Sequence, residues 1–299
     1  MPDFDLTILT DSRLTGDPGS DPYLRNVLKE DGLVRMALEE RGWRVRRINW
    51  DHPEVPWDDT RYILFRSTWD YFDRFPEFAP WLERVSQLTK MINPYDLIRW
   101  NLDKHYLNDL SGHGIPTPPT VFAERGERRT LSALIGETGW EEVILKPAVS
   151  GAARHTYRFP SSGSEPYEPV FRQLISSESM MIQEFQPAVL THGEVAYMLF
   201  EGRFSHAVLK RAKKGDFRVQ DDFGGTVHPY DPTAEEIELA ERVVTCCHPL
   251  PLYARVDAIF DRELRPVVSE LELIEPELWF RFEPAAAGLL ADAILRHDG

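Results

Sequence analysis

The stretch LYARVDAIFDRELRPVVSELELIEPELW, residues 252–279, predicts two β-strands that are joined by a charged turn. Val, Ile, Leu, Tyr and Phe fill both arms, as is typical of paired strands. If the hairpin folds symmetrically about the turn, Asp257 faces Glu270 on the opposite strand. Glu272 lies two residues further along, so it points to the same face of the sheet as Glu270.

Three carboxylates would then share one patch of one sheet face, and like charges placed opposite each other destabilise a sheet. A divalent cation removes this repulsion. Hard carboxylate oxygens suit Mg²⁺, and Mn²⁺ is an alternative. Leu271 and Leu273 alternate with the acids and are expected to point toward a core. The competing interpretation is a solvated hairpin face that carries acids without a metal.

Composition restricts the classes of protein to which this chain can belong. The 299 residues are 42% hydrophobic and 28% charged, which is typical of a globular chain with two or three linked units. A net charge of -15 argues against a nucleic-acid partner, because phosphate contacts would have to overcome that field. No apolar run reaches membrane-spanning length and no signal peptide is recognised, so we expect a cytoplasmic protein without a membrane partner. The two cysteines, Cys246 and Cys247, are adjacent and form no disulfide framework.

Strands alternate with helical patterns over roughly the first hundred residues, which predicts a small parallel α/β domain. We expect strands near residues 6–9, 44–48 and 62–65. Ligands of such sheets bind beyond the carboxyl ends of the strands, so polar residues that follow the first and third strands are candidate substrate contacts. Helix caps or loop charges explain the same residues equally well. The candidates are Asp11, Arg13, Arg66, Ser67 and Asp70.

Neither a G-x-G-x-x-G motif after the first strand nor a P-loop lysine is present, so the common nucleotide-binding signatures are absent. Short motifs instead follow one another in order beyond residue 100, beginning with Lys104 in a predicted helix at residues 95–111. A small-residue loop at residues 150–153 would let backbone N–H groups approach phosphate oxygens, although a plain hairpin turn is an equal alternative. The ordered motifs are Lys104, Lys146-Pro147, Gln183-Glu184-Phe185, Gly193-Glu194, Lys210-Arg211, Phe217-Arg218, Arg255-Val256-Asp257 and Glu270-x-Glu272.

This ordered set resembles the ATP-grasp superfamily, which includes glutathione synthetase and D-alanine–D-alanine ligase. The similarity covers about residues 100–299. The resemblance implies an α/β fold, of the kind described as α+β ATP-grasp, that is divided into three parts. These are an N-terminal parallel α/β domain (1–100), a small lid-like central subdomain (101–186) and a C-terminal antiparallel-sheet domain with the metal site (187–299).

The resemblance also implies ATP and Mg²⁺ as cofactors and gives each motif residue a role. Asp257, Glu270 and Glu272 would be the Mg²⁺ ligands. The implied catalytic residues near the transferred phosphoryl group are Arg218, Arg255 and Lys210. The implied ATP contacts are Lys104, Lys146 and Lys210 at the phosphates, Ser150 and Gly151 in the covering loop, Gln183, Glu184 and Phe185 at the adenine hinge, and Glu194 at the ribose.

The sequence departs from the family pattern at two places. Most relatives carry Asn where this chain has Glu272, and the additional negative charge puts a second metal in doubt. The segment LIEPELWF, residues 273–280, lacks the small Ser/Pro/Gly turn that helps to bind the acceptor substrate in relatives. The resemblance therefore implies a substrate that is unusual for the superfamily.

Residues 204–225 and 270–280, together with the chain length, resemble a narrower family, the ATP-grasp cyclo-ligases of D-cycloserine biosynthesis. That resemblance implies one small amino-acid-like substrate, O-ureido-D-serine. ATP would phosphorylate its carboxylate, a nitrogen of the same molecule would close the ring, and ADP, phosphate, CO₂ and ammonia would be released. Two alternatives stay open: an intermolecular carboxylate–amine (peptide-bond) ligase and a non-catalytic ATP-binding sensor. Relatives also lead us to expect a homo-oligomer.

Overall fold

Three sheets follow one another along the chain in the computed structural model, which describes residues 2–213, 215–219 and 224–298. The elements of the first part are β1 (Phe4–Thr10), α1 (Pro22–Glu39), β2 (Val45–Asn49), β3 (Thr60–Ser67), α2 (Phe75–Ser86) and β4 (Lys90–Ile92). Their sheet is entirely parallel, as predicted, with the strand order β2-β1-β3-β4. The side chain of Asp21 caps the helix α1 by accepting hydrogen bonds from the N–H groups of Tyr23 and Leu24.

The second sheet is antiparallel and lies in the middle of the sequence. Two short helices, α3 (Tyr95–Asn101) and α4 (Tyr106–Gly112), precede it. Its strands take the order β5-β8-β6-β7. The elements are β5 (Thr120–Ala123), α5 (Leu131–Gly136), β6 (Glu142–Pro147), β7 (Tyr157–Pro160), α6 (Glu168–Ile175) and β8 (Met180–Glu184).

The third sheet is antiparallel, in the order β11-β10-β9-β12-β13, so the antiparallel C-terminal part of the predicted fold is confirmed. A capping box at Thr233 and Glu236 fixes the start of its helix α8. The elements are α7 (Val189–His192), β9 (Glu194–Phe200), β10 (Arg203–Arg211), β11 (Thr226–Tyr230), α8 (Ala234–Thr245), β12 (Tyr253–Phe260), β13 (Pro266–Glu272) and α9 (Ala286–Asp298).

Helices α1 and α9 connect the first and third sheets through one apolar cluster. Leu38 of α1 and Ile294 of α9 are fully buried in it, together with Leu64 of β3 and Met198 of β9. Each sheet falls within one predicted part of the chain, and the boundaries at residues 100 and 186 stay a prediction. Among the described helices, none combines the length and the apolar character that crossing a membrane requires.

The hairpin of β12 and β13 has the predicted register where the acids lie, but a β-bulge and not a symmetric fold about the turn produces it. Asp257 pairs with Glu270, as expected, whereas Phe260 pairs with Pro266 next to the turn. A bulge at Ser269 absorbs the one-residue difference between these two pairings. The Ser269 hydroxyl donates to the Asp257 carbonyl oxygen at 3.1 Å, which holds the extra residue in place.

Strand β13 is an edge strand, and side chains from earlier in the chain cover its outer side. The Asn101 side chain donates to the Leu271 carbonyl and accepts from the Leu273 N–H, both at 2.8 Å. The Tyr106 hydroxyl accepts from the Leu271 N–H at 3.1 Å. The edge that carries the acids therefore has protein partners for its backbone groups and keeps a fixed position.

The single helix predicted at residues 95–111 is wrong, because the chain forms α3 and α4 with a break between them. The Asp103 carboxylate accepts from the His105 N–H at 3.0 Å, which competes with continuous helical hydrogen bonding. Lys104 lies in this break, and its N–H donates to the Ala148 carbonyl at 2.9 Å. The break thus turns Lys104 toward the small-residue loop.

The two adjacent cysteines differ in burial, which makes them distinguishable by chemistry. Cys247 is buried, and burial raises the pKa of its thiol to about 12, while Cys246 is partly exposed. Only the thiolate reacts with a disulfide reagent, so at pH 8 we expect one fast thiol in the folded protein and a second after unfolding. Ellman's reagent measures both, and Cys246→Ser should remove the fast one. Equal rates for both thiols would contradict the buried position of Cys247.

Candidate active site

A cavity of about 700 Å³ is lined by residues from the second and third sheets and by residues that follow β1 and β3 of the first. Every residue predicted for ATP, metal or catalysis lines it, although these residues span more than 160 positions of sequence. Arg13 is the predicted substrate contact that also lines it. The residues brought together are Arg13, Lys104, Lys146, Ser150, Gly151, Gln183, Glu184, Phe185, Glu194, Lys210, Arg218, Arg255, Asp257, Glu270 and Glu272.

The middle of the cavity is a charged centre in which acids and bases alternate. Lys210 bridges two acids, with Nζ at 2.5 Å from Glu194 Oε1 and 2.8 Å from Asp257 Oδ2. Arg255 donates to both oxygens of Asp257, at 2.9 and 2.8 Å, and also to Glu272. The charged centre consists of Lys104, Lys146, Glu194, Lys210, Arg255, Asp257, Glu270 and Glu272.

The charged centre shifts the pKa values of its acids in opposite directions. Burial by itself would raise the pKa of Asp257, but Arg255 and Lys210 outweigh it and lower the pKa. Glu270 behaves likewise, since Lys104 and Lys146 overcome its burial and lower its pKa. Burial raises the pKa of Glu272 to about 7 in spite of Arg255. The neighbouring cations therefore favour the charged forms of Asp257 and Glu270.

The donor chemistry of these acids fits a divalent cation. Asp257 and Glu270 are directly opposite each other across the hairpin, and both offer carboxylate oxygens to the cavity. Their present partners are cationic side chains, and within the described residues no three acids, histidines or cysteines are arranged as a metal cage. A cation that enters would exchange these ion pairs for bonds to the same oxygens.

The small-residue loop lies next to the charged centre. Lys104 Nζ donates to the Ser150 carbonyl at 2.5 Å and pairs with Glu270 Oε1 at 3.1 Å. A Cβ atom added to Gly151 would lie 2.5 Å from Cε1 of Phe72, so this position needs glycine unless the ring moves. The loop is thus held between the lysine and an aromatic ring at the cavity wall.

One part of the cavity wall is an apolar region, formed by a small cluster of side chains. Phe185 is buried there, its ring lies edge-on to that of Phe217, and the Arg158 guanidinium sits 3.8 Å from its ring centre. The Phe185 N–H donates to the Glu142 carbonyl at 3.0 Å, so this N–H is already used within the protein. Arg218 lines the cavity and donates to Asp216 at 2.7 Å. The apolar region consists of Ile144, Phe185, Val189, Phe217, Val219 and Ile259.

Another part of the wall is an aromatic region, formed by residues that sequence reasoning did not select. Glu275 lines the cavity there, and burial raises the pKa of its carboxyl group to about 8, with Glu272 adding to the shift. The Tyr71 hydroxyl lies beside it and partly offsets the shift. The departure from the family pattern at residues 273–280 was the available signal. The aromatic region consists of Tyr23, Trp69, Tyr71, Phe72 and Trp279.

Arg66 does not line the cavity, in contrast to its prediction as a substrate contact. It is 2% exposed, and its Nη1 donates to the Pro276 carbonyl at 2.9 Å. Its guanidinium also lies 4.0 Å from Glu30 and 3.6 Å from Asp31 of α1. Because the loop after β13 covers this strand end, the residue packs between two parts of the protein.

The other three residues that follow the strand ends are also buried outside the lining. Asp11 accepts from the N–H and the guanidinium of Arg13. Ser67 donates to Thr10 at 2.8 Å. Asp70 accepts from the Trp50 indole at 2.8 Å and from Arg74 at 3.0 Å. These contacts are of the capping and loop type that the sequence left open as an alternative.

Comparison with known proteins gives relatives over most of the chain. Residues 6–93 match the sequence profile described as D-cycloserine synthetase DcsG, N-terminal domain. The cycloserine biosynthesis protein DcsG of Streptomyces lavendulae is 31% identical over 264 residues, which cover 82% of this chain and 86% of that protein. A crystal structure of D-cycloserine synthetase DcsG superposes with a TM-score of 0.83 at 27% identity, over 98% of this chain and 99% of the other. D-alanine–D-alanine ligase from Bacillus anthracis complexed with ATP shares the fold, with a TM-score of 0.67 at 15% identity over 98% and 96% of the two chains.

Proposed function

Because the chain belongs to the D-cycloserine synthetase DcsG family of ATP-dependent ATP-grasp ligases, we propose that it cyclises O-ureido-D-serine to D-cycloserine. One observation carries the proposal beyond family membership: all residues predicted for nucleotide, metal and phosphoryl transfer line one cavity. That cavity also contains the aromatic region, where Glu275 offers a carboxyl group to a small amino-acid-like substrate. An intramolecular reaction needs one acceptor pocket and gains from the high effective concentration of a tethered nucleophile.

We assign the adenine to the apolar region and the phosphates to the charged centre. Ile144, Val189 and Ile259 provide flat apolar surface for a base. Lys104 and Lys146 carry the positive charge that phosphate oxygens require, with Ser150 and Gly151 in the loop beside them. The substrate occupies the aromatic region, next to the acids of β13.

Asp257 and Glu270, with Glu272 beside them, would hold Mg²⁺. The metal would supply charge that neutralises the phosphate oxygens as the γ-phosphoryl group moves. Arg255 and Lys210 lie against Asp257, where they stabilise negative charge that develops on transferred oxygens. Arg218 lines the same cavity and is assigned to the same oxygens.

The reaction balances as two substitutions and one hydrolysis. A carboxylate oxygen of the substrate takes the γ-phosphoryl group from ATP, which forms an acyl phosphate and releases ADP. The nitrogen bonded to oxygen in the same molecule attacks the acyl carbon, phosphate leaves, and the five-membered ring closes. One water then removes the carbamoyl group as CO₂ and ammonia. Exclusion of bulk water from the site would protect the acyl phosphate until the ring closes.

The test is turnover of purified protein with ATP, Mg²⁺ and O-ureido-D-serine, with the L-isomer in parallel. We expect ADP release that depends on the D-isomer, together with cycloserine identified by its mass. ADP release that requires an added amine would instead establish an intermolecular ligase. ATP binding without ADP release from either isomer would exclude this substrate and favour a sensor.

Replacing Lys146 with Met is expected to weaken ATP binding about 30-fold, which corresponds to about 2 kcal/mol for one buried charge contact. Burial lowers the pKa of Lys146, so phosphate oxygens would restore the stability of its charged form. Isothermal titration with a non-hydrolysable ATP analogue measures the effect. Lys29→Met, an exposed lysine of α1, is the matched control. Equal affinity of the two variants would remove Lys146 from the phosphate site.

A further inference from the structure

Glu275 differs from the other acids of the cavity in its partners. The ion pairs of the charged centre engage Glu194, Asp257, Glu270 and Glu272, and among the ion pairs of the described residues none involves Glu275. Its carboxylate lines the cavity and remains partly accessible from it. A carboxylate that is largely removed from water without a cation is stabilised when a ligand supplies one.

Three side chains hold the backbone around Glu275, two from the first hundred residues and one from β12. The Trp69 indole N–H donates to the Glu275 carbonyl at 3.0 Å. Arg66 donates to the Pro276 carbonyl at 2.9 Å, and the Tyr253 hydroxyl donates to the Ile274 carbonyl at 2.5 Å. Three consecutive carbonyl groups are thus bound, so the direction of the Glu275 side chain is set before a ligand arrives.

The surroundings of Glu275 favour a cationic group over a neutral one. Trp69 and Tyr71 line the cavity beside it, and neither carries a charge that would neutralise the carboxylate. Glu272 adds negative potential that contributes to the raised pKa of Glu275, and Lys104 offsets only part of it. Lys104, Lys210 and Arg255 of the charged centre are already paired with their own acids.

We propose that Glu275 binds the ammonium group of the substrate, so that this subsite selects amino acids over carboxylic acids that lack the amine. The inference rests on the proposed function only in that the cavity holds the acceptor substrate of a ligase. It names a recognition element for that substrate: one carboxylate, fixed by its backbone contacts, beside two aromatic rings. The reacting carboxylate then extends toward the charged centre, where the phosphates lie.

Two matched pairs of ligands test the proposal, each pair differing only in the amine. They are O-ureido-D-serine with 3-(ureidooxy)propanoate, and D-serine with 3-hydroxypropanoate. Calorimetry with Mg²⁺ and a non-hydrolysable ATP analogue gives affinities, and ADP release with ATP gives turnover. We expect the wild-type protein to prefer the amino member of a bound pair about 10- to 100-fold, and Glu275→Gln to remove that preference.

Glu277→Gln is the matched control, because Glu277 lies on the same loop and cavity wall but pairs with Arg281. We expect it to keep the wild-type preference for the amine. Glu275→Asp should retain part of it, which separates charge from loss of fold, and thermal unfolding checks all three variants. An unchanged preference in Glu275→Gln overturns the proposal, as does failure of the wild-type protein to bind any of the four ligands.

The same experiment separates this inference from the proposed function. If O-ureido-D-serine gives no ADP while an amino ligand still binds with a preference that depends on Glu275, the substrate assignment fails and the subsite stands. If O-ureido-D-serine is cyclised and Glu275→Gln keeps the preference for the amine, the function stands and the subsite fails.

Discussion

Asp257→Asn is expected to lower substrate-dependent ADP release by about 10³-fold or more. The substitution keeps the shape of the side chain but removes the charge that meets Lys210 at 2.8 Å and Arg255 at 2.8 Å. A neutral amide can neither hold a divalent cation against the phosphates nor orient both bases, and each loss affects the transition state directly. ADP release is measured with saturating ATP and Mg²⁺.

Glu263→Gln provides the control for this change. Glu263 lies in the turn of the same hairpin, and its side chain is 66% exposed and paired with Arg265. Its substitution removes the same charge about six residues away and should leave turnover within about twofold, since exposed ion pairs contribute little. Glu270→Gln should reproduce the loss. Wild-type turnover in both Asp257→Asn and Glu270→Gln would exclude the carboxylate centre as the catalytic site.

Arg66→Met is expected to destabilise the protein by about 3–5 kcal/mol, as is typical when one partner of a buried ionic network is removed. Glu30 and Asp31 would remain buried without this cation, and the Pro276 carbonyl would lose its donor. The melting temperature should fall by roughly 6 °C or more. Differential scanning calorimetry measures the change.

Arg35→Met is the comparison for Arg66→Met. Arg35 lies on α1, the helix that carries the acidic partners of Arg66, but its side chain is 52% exposed and pairs with Glu39 one turn away. That pair contributes about 0.3–0.5 kcal/mol, so the melting temperature should change by about 1–2 °C. If Arg66→Met instead raised KM for the substrate with an unchanged melting temperature, Arg66 would be the substrate contact that its sequence position suggests.

The strands that alternate regularly or form apolar runs were predictable, and those that do not were missed. β4 has three residues, which are too few for a periodic pattern, so tertiary pairing with β3 decides its structure. β11 contains Pro229 and faces solvent at the sheet edge, where a polar strand has no periodic signal. The bulge at Ser269 gives no sequence signal either, although it sets the register of the acids.

The residues that we assign to the nucleotide were selected from the sequence because they form short motifs whose order resembles the ATP-grasp superfamily. The residues that we assign to the substrate were not selected in this way. Strand ends alone suggested Arg66, but the segment around Pro276 folds over that end and buries it. Glu275 lies between Ile274 and Pro276 in a segment that has no periodic pattern. Trp69 and Tyr71, which follow β3 of the first sheet, form the cavity wall beside it.

The side-chain cover along β13 also limits how copies of this chain can associate. An open strand edge recruits strands from other molecules, either in ordered sheet extension or in aggregation. Here Asn101 and Tyr106 occupy the backbone groups around Leu271, and the Val268 N–H donates to the Pro116 carbonyl at 2.8 Å. Copies of the chain therefore cannot associate by adding a strand along this part of β13, and the acids of the site stay clear of any intermolecular sheet.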